Sequence, residues 1–159
     1  MPSPPTPDRP RSGAPASRPL VRVPVPPGAA GVEALLPALA SALDGSGPAI
    51  APVPTVTSTV SNSFVMSVLE AVRPDDAALP LESDDVAVVM ATSGSTGSPR
   101  GVLLTAAQLT ALTPVVNGRG AHGTAAPLWI AALPVTSMGG LNVLVRALAS
   151  GLHPVALPS

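Results

Sequence analysis

The chain has 159 residues, enough for one modest domain. Its formal net charge of −1 leaves no broad basic face for nucleic acid. Cysteine is absent, which excludes disulfides, thiolate metal sites and a cysteine nucleophile.

Residues 1–18 are Pro, Ser and Arg with almost nothing to bury, and they read as a disordered tail ahead of a domain over 19–159. Residues 1–27 lack the apolar run of a signal peptide. Leu20, Val21, Val23 and Val25, spaced by Arg22 and Pro24, predict an edge strand. Val32, Leu35, Leu36, Leu39 and Leu43 fall on one helical face over 31–43. Pro37 lies inside that run and predicts a kink or a late start. Asp44-Gly45 supplies a stop, and 49–53 a short buried strand.

Residues 54–63 carry little pattern and read as loop. Phe64, Val65, Val68, Leu69 and Val72 predict a helix ending before Pro74, and 75–85 an acidic surface loop. A continuous apolar strand follows over 86–91, then a Gly/Ser/Thr loop over 92–101. A second short strand spans 102–104, and Thr105 is a good N-cap for a helix through Leu112. Residues 127–133 predict a strand, 141–148 a largely buried helix and 153–157 a last strand. Strands alternating with helices imply an α/β layered fold with a mainly parallel sheet flanked by helices.

The core must be built from Val, Leu and Ala, because Phe64 and Trp129 are the only aromatic residues. His122 and His153 are too far apart to make a metal motif, and no metal site is expected. Residues 120–145 carry no formal charge, but Pro127, Pro134 and the Gly139-Gly140 pair interrupt them. Their apolar runs fall short of the roughly 20 residues a spanning helix needs. A soluble, cytoplasmic protein with neither membrane nor nucleic-acid partners is expected.

The strongest local signal is Thr92-Ser93-Gly94-Ser95-Thr96-Gly97-Ser98-Pro99-Arg100-Gly101, directly after a buried strand. Its three glycines let the backbone turn and approach a ligand closely. Its hydroxyls and successive N–H groups suit an anion nest. Arg100 adds a permanent, planar cation. This is not a Walker loop: counting from Gly94, Pro99 stands where the second Gly belongs, and the chain has no Lys. The glycine spacing does not fit a dinucleotide fingerprint either.

The decapeptide resembles the phosphate-binding signature of the AMP-forming adenylating superfamily, threonine-serine-glycine-serine-threonine-glycine-x-proline-lysine-glycine, with Arg100 at the lysine position. Residues 133–148, and 34–54 around Leu-Asp-Gly-Ser-Gly-Pro, are similar to o-succinylbenzoate–CoA ligases of menaquinone biosynthesis. Thr136 and Ser137 stand where those relatives commonly carry histidines, and Ala106 where many carry another. The resemblance spans 20–157 and is weakest between 55 and 85.

The resemblance implies the N-terminal part of an acyl-CoA synthetase large domain. It implies adenylation of a carboxylic acid by ATP with Mg²⁺, then transfer of the acyl group to CoA, with o-succinylbenzoate as the expected acid. A fatty, aryl or amino acid is the alternative. Thr92, Ser93, Gly94, Ser95, Thr96, Gly97, Arg100 and Gly101 would hold phosphate, with Thr96 and Arg100 in direct contact. Thr136, Ser137, Gly139 and Gly140 would border the acid. No catalytic residue is assigned. All nine carboxylates precede residue 86, and the family's Mg²⁺-binding Glu, ribose-binding Asp and catalytic Lys lie later than residue 159. A fragment, a truncated product or a degenerate copy, inactive alone and at most a weak nucleotide binder, is therefore expected.

Overall fold

The computed structural model describes residues 18–74, 81, 85–92, 99–111 and 128–157. Four strands, β1 (Leu20–Val25), β2 (Ala49–Pro54), β3 (Val86–Thr92) and β4 (Arg100–Thr105), form one sheet in that order. β1, β2 and β3 are parallel, and β4 returns antiparallel to β3. The mainly parallel α/β arrangement matches the expectation from sequence, and β1 lies at the sheet edge.

Two prolines shape the centre of this sheet. β1 and β2 pair over their full length, from Leu20 with Ala49 to Val25 with Pro54. β2 and β3 share the single pair Ile50 and Val88. The N–H groups of Ala49 and Thr55 donate towards β1, to Pro19 and Val25. In a strand these directions alternate, so positions 50, 52 and 54 aim theirs at β3. Pro52 and Pro54 have no N–H to give, and the ladder to β3 stops there.

The helix α1 (Ala29–Asp44) starts eight residues before Pro37 and runs through it, so a late start is corrected. Pro37 is exposed, while Val32, Leu35, Leu36, Leu39 and Ala42 are buried on the other face. Burying a side chain such as Leu contributes about 1.5–3 kcal/mol, so this stripe outweighs the roughly 3 kcal/mol that proline costs in a helix interior. Gly45 ends the helix in the left-handed conformation, φ 80°.

Arg18, which sequence alone assigns to the tail, is built into the domain. Its guanidinium donates to the carbonyls of Ala42 (2.8 Å), Gly47 (2.5 Å from Nη2, 2.8 Å from Nε) and Val86 (3.2 Å). One planar fork thus ties the end of α1, the turn after it and the start of β3.

The helix α2 (Asn62–Val72) begins at the N-cap Ser61, whose hydroxyl accepts the Phe64 N–H at 3.2 Å. Val65, Val68 and Val72 are buried at helical spacing. Phe64, expected on that face, is 53% exposed; the single aromatic ring of this helix lies outside the valine stripe. α1 and α2 cover opposite faces of the sheet. Ile50, Val88 and Met90 pack with α1, whereas Ala51, Val53, Val86 and Val89 pack with α2. Val86 and Val89 share a face, against strict alternation, because the β3–β4 ladder shifts register between Val86 and Val88.

Beyond β4, the short helix α3 (Ala106–Thr110) is closed by a capping box. Thr105 accepts the Gln108 N–H at 3.1 Å and Gln108 accepts the Thr105 N–H at 2.9 Å. The helix α4 (Met138–Ala149) buries Leu141, Leu144 and Val145 against the α1 side of the core. A separate parallel pair, β5 (Ile130–Ala131) and β6 (Val155–Ala156), completes the described residues. β5 is far shorter than the strand expected over 127–133, of which 127 lies outside the described residues; Leu128 and Leu133 are exposed. The Trp129 ring lies 6.0 Å from the Arg146 guanidinium, and its buried Nε1–H has no hydrogen-bond partner among the described residues. No helix among the described residues is long and apolar enough to cross a membrane.

Candidate nucleotide and acid site

The decapeptide that resembles a phosphate-binding signature begins at the end of a buried strand. β3 is buried from Val86 to Met90 and emerges at Thr92, where β4 returns from Arg100. Thr92 and Arg100 are ladder partners, and the Thr92 hydroxyl donates to the Arg100 carbonyl at 3.3 Å. The structure thus carries the strands further into the predicted loop, to Thr92 on one side and Arg100 on the other. Ser93, Gly94, Ser95, Thr96 and Gly97 lie outside the described residues. Arg100 is exposed.

Gly101 has a packing reason to be glycine. A Cβ there would sit 2.5 Å from the Ala71 carbonyl oxygen at the end of α2. The strand that follows the signature therefore approaches α2 closely.

A cleft of about 320 Å³ opens beside this edge of the sheet. It is lined by residues 25–28 and Val32, by Pro54, Thr55, Thr59 and Val60, by 131–136, and by Leu157. Val25 closes β1, Pro54 closes β2, Ala131 closes β5, and Leu157 directly follows β6. The cleft thus collects the carboxyl ends of parallel strands, where open α/β sheets bind ligands. β2 and β3 run parallel, so Pro54 and Thr92 end their strands at the same edge of the sheet. The cleft and the signature share one edge. The described lining is apolar apart from backbone groups and the hydroxyls of Thr55, Thr59 and Thr136.

The four residues expected to border the acid separate into two groups. Thr136 lines the cleft. Ser137 is the N-cap of α4: its hydroxyl accepts the Gly140 N–H at 3.3 Å and donates to the Pro134 carbonyl at 2.7 Å. Gly139 is exposed. Gly140 is buried, and a Cβ on it would collide with the Pro134 carbonyl. Ser137 and Gly140 thus hold the wall that presents Thr136.

Sequence reasoning missed Thr55, Thr59 and the turn 26–28. The available signal was the Thr57-x-Thr59 spacing, in which a hydroxyl folds back on its own backbone. Thr57 Oγ1 accepts the N–H groups of Thr59 (3.3 Å) and Val60 (3.0 Å). Among the described residues no group of three His, Asp or Glu side chains could hold a metal ion. The described residues do not by themselves fit a Mg²⁺ site.

The family model described as "AMP-binding enzyme" matches residues 29–159. The chain is 42% identical over 134 residues to the "Probable 2-succinylbenzoate--CoA ligase" of Mycobacterium tuberculosis, in strains CDC 1551 / Oshkosh and ATCC 25618 / H37Rv. That match covers 84% of this chain and 30% of the relative, so the chain spans about a third of the length of these relatives. Among solved structures, it overlaps the o-succinylbenzoate coenzyme A synthetase of Bacillus subtilis in complex with AMP, at TM-score 0.45 and 20% identity. That overlap covers 86% of this chain and 42% of the other. A red-emitting luciferase from Phrixothrix hirtus overlaps at TM-score 0.37 and 24% identity, over 67% of this chain and 22% of the other. With the family model covering most of its length, the chain belongs to the AMP-binding enzyme family.

Proposed function

We propose that these residues form the phosphate-binding edge and one wall of the acid site of an ATP-dependent acid–CoA ligase. The enzyme would join a carboxylic acid to AMP with release of pyrophosphate, and CoA would then displace AMP. The observation that carries the reading is a shared edge. The segment Thr92–Gly101 leaves the sheet at the edge where β2 ends in Pro54, and Pro54 and Thr136 line one apolar cleft.

In this reading Thr92, Ser93, Gly94, Ser95, Thr96, Gly97, Arg100 and Gly101 bind the β- and γ-phosphates of ATP. Backbone N–H groups and the Arg100 cation balance the phosphate charge. The cleft takes the body of the acid, with Thr136 as a direct neighbour and Ser137, Gly139 and Gly140 supporting it. Positioning and charge stabilisation supply the catalysis. The relatives from M. tuberculosis support o-succinylbenzoate as the acid, and with it a cytoplasmic role in menaquinone biosynthesis.

The test is acid-dependent exchange of pyrophosphate into ATP by the protein that contains these residues. Exchange with o-succinylbenzoate, and faster than with benzoate or a fatty acid, is expected. Absence of exchange with every aromatic, dicarboxylic and fatty acid overturns the reading.

A further inference from the structure

The loop between β2 and α2 holds a hydroxyl whose hydrogen is left over by its neighbours. Thr57 Oγ1 accepts two backbone N–H groups, from Thr59 at 3.3 Å and Val60 at 3.0 Å. The Thr57 N–H in turn donates to the Val60 carbonyl at 3.0 Å, closing the turn on itself. A hydroxyl has two lone pairs and one hydrogen. Both lone pairs of Thr57 are engaged, so its hydrogen is what makes the 3.2 Å contact with Thr59 Oγ1. Thr59 Oγ1 is therefore the acceptor in that bond and keeps its own O–H as a donor. Thr59 lines the cleft.

Resting on the acid-site reading above, we propose that Thr59 selects the acid by donating to an acceptor oxygen on its body, a ketone or a second carboxylate. Thr57 is the positioning residue that sets the polarity of this hydroxyl. The rest of the described lining fits the choice. It is apolar but for the hydroxyls of Thr55 and Thr136 and backbone groups, so one oriented donor distinguishes between acids of equal shape. Without that partner, the acceptor oxygen would lose its water for nothing in return.

The experiment compares two probes of similar shape on the protein that contains these residues by calorimetry: 2-acetylbenzoate, which carries a ketone, and 2-isopropylbenzoate, which does not. The wild-type chain is expected to prefer the ketone by about fivefold, the ratio one neutral hydrogen bond supports. Thr59→Val is expected to abolish the preference through weaker binding of 2-acetylbenzoate, and Thr59→Ser to keep it. Thr57→Ser keeps the preference and Thr57→Val loses it, a ratio that a merely structural role would not move. Binding of both probes with the preference intact in Thr59→Val overturns this proposal alone. Binding of neither probe by the wild-type protein that contains these residues overturns the acid-site reading as well.

Discussion

The hydroxyl of Ser137 accepts the backbone N–H of Gly140 at 3.3 Å and closes the first turn of α4 behind the cleft wall. The same oxygen donates to Pro134, so one side chain joins the helix to the segment that carries Thr136. Ser137→Ala is expected to cost about 1 kcal/mol of stability, the usual value of an N-cap, and Ser137→Asp to recover most of it. Trp129, the single tryptophan, faces Arg146 on the last turn of the same helix, and its emission in a urea titration reports the loss.

The adjacent glycines should respond in opposite ways. A Cβ on Gly140 meets the Pro134 carbonyl and lies 2.8 Å from Val135 Cα, both backbone. Gly140→Ala is expected to destabilise by about 1–3 kcal/mol, as overpacking does. A Cβ on Gly139 meets only Leu133 Cδ1, at 2.7 Å, the far end of an exposed side chain that can turn away. Gly139→Ala is expected to stay within about 0.5 kcal/mol of the parent or gain slightly from helix propensity. Thermal melts of the two variants make the comparison.

Arg18→Met should cost about 2 kcal/mol, because the guanidinium satisfies carbonyls from three separate elements. Arg18→Lys should recover little, since an ammonium cannot reproduce the planar fork. Chemical unfolding of both variants checks this, and full recovery by Lys would reduce the contact to its charge.

Asp44 gives the chain an acid limb. Hydrogen bonds from Ser46, including its N–H at 2.8 Å, hold the carboxyl below the usual carboxylate range, and Arg18 adds to this. The ionised form is the one these bonds favour. Its small contribution to stability is present above the unfolded value of about pH 4 and fades as pH falls through the lower folded value. Asp44→Asn should flatten the stability profile in that acid window and leave its slope at neutral pH unchanged, measured by melts between pH 2 and 7.

Arg100→Ala is expected to weaken ATP binding about tenfold, the loss of one charge-assisted contact, and Arg100→Lys to stay within about threefold. Calorimetry with ATP reads both. An unchanged affinity in Arg100→Ala would remove Arg100 from the phosphate site.

Much of the scaffold was legible because its signals are local. The stripe from Val32 to Leu43, the Thr105 cap and the apolar run of β3 each declare their structure within a few residues. What escaped depends on partners distant in sequence. Pro37 looked like a boundary because its cost is local, while the burial that outweighs it comes from β1, β2 and β3. Phe64 looked like core because it is large and falls near the stripe, yet it is the valines, with Leu69, that pack on this face of the sheet. At the site, the Gly/Ser/Thr run after an apolar strand and its resemblance to a family signature singled out 92–101, whereas Thr59 joined the site only when the carboxyl ends of β1, β2 and β5 were seen to converge.

The prolines of β2 have a mechanical consequence. β2 and β3 are fastened at Ile50–Val88 and unfastened at the tip, where Pro52 and Pro54 face β3 without a donor. Rocking of the β3–β4 hairpin against β1–β2 at that tip breaks no β2–β3 ladder bond. The sheet has its β2–β3 pair at the root and none toward the mouth, and the strand ends Thr92 and Arg100 lie on the side without one.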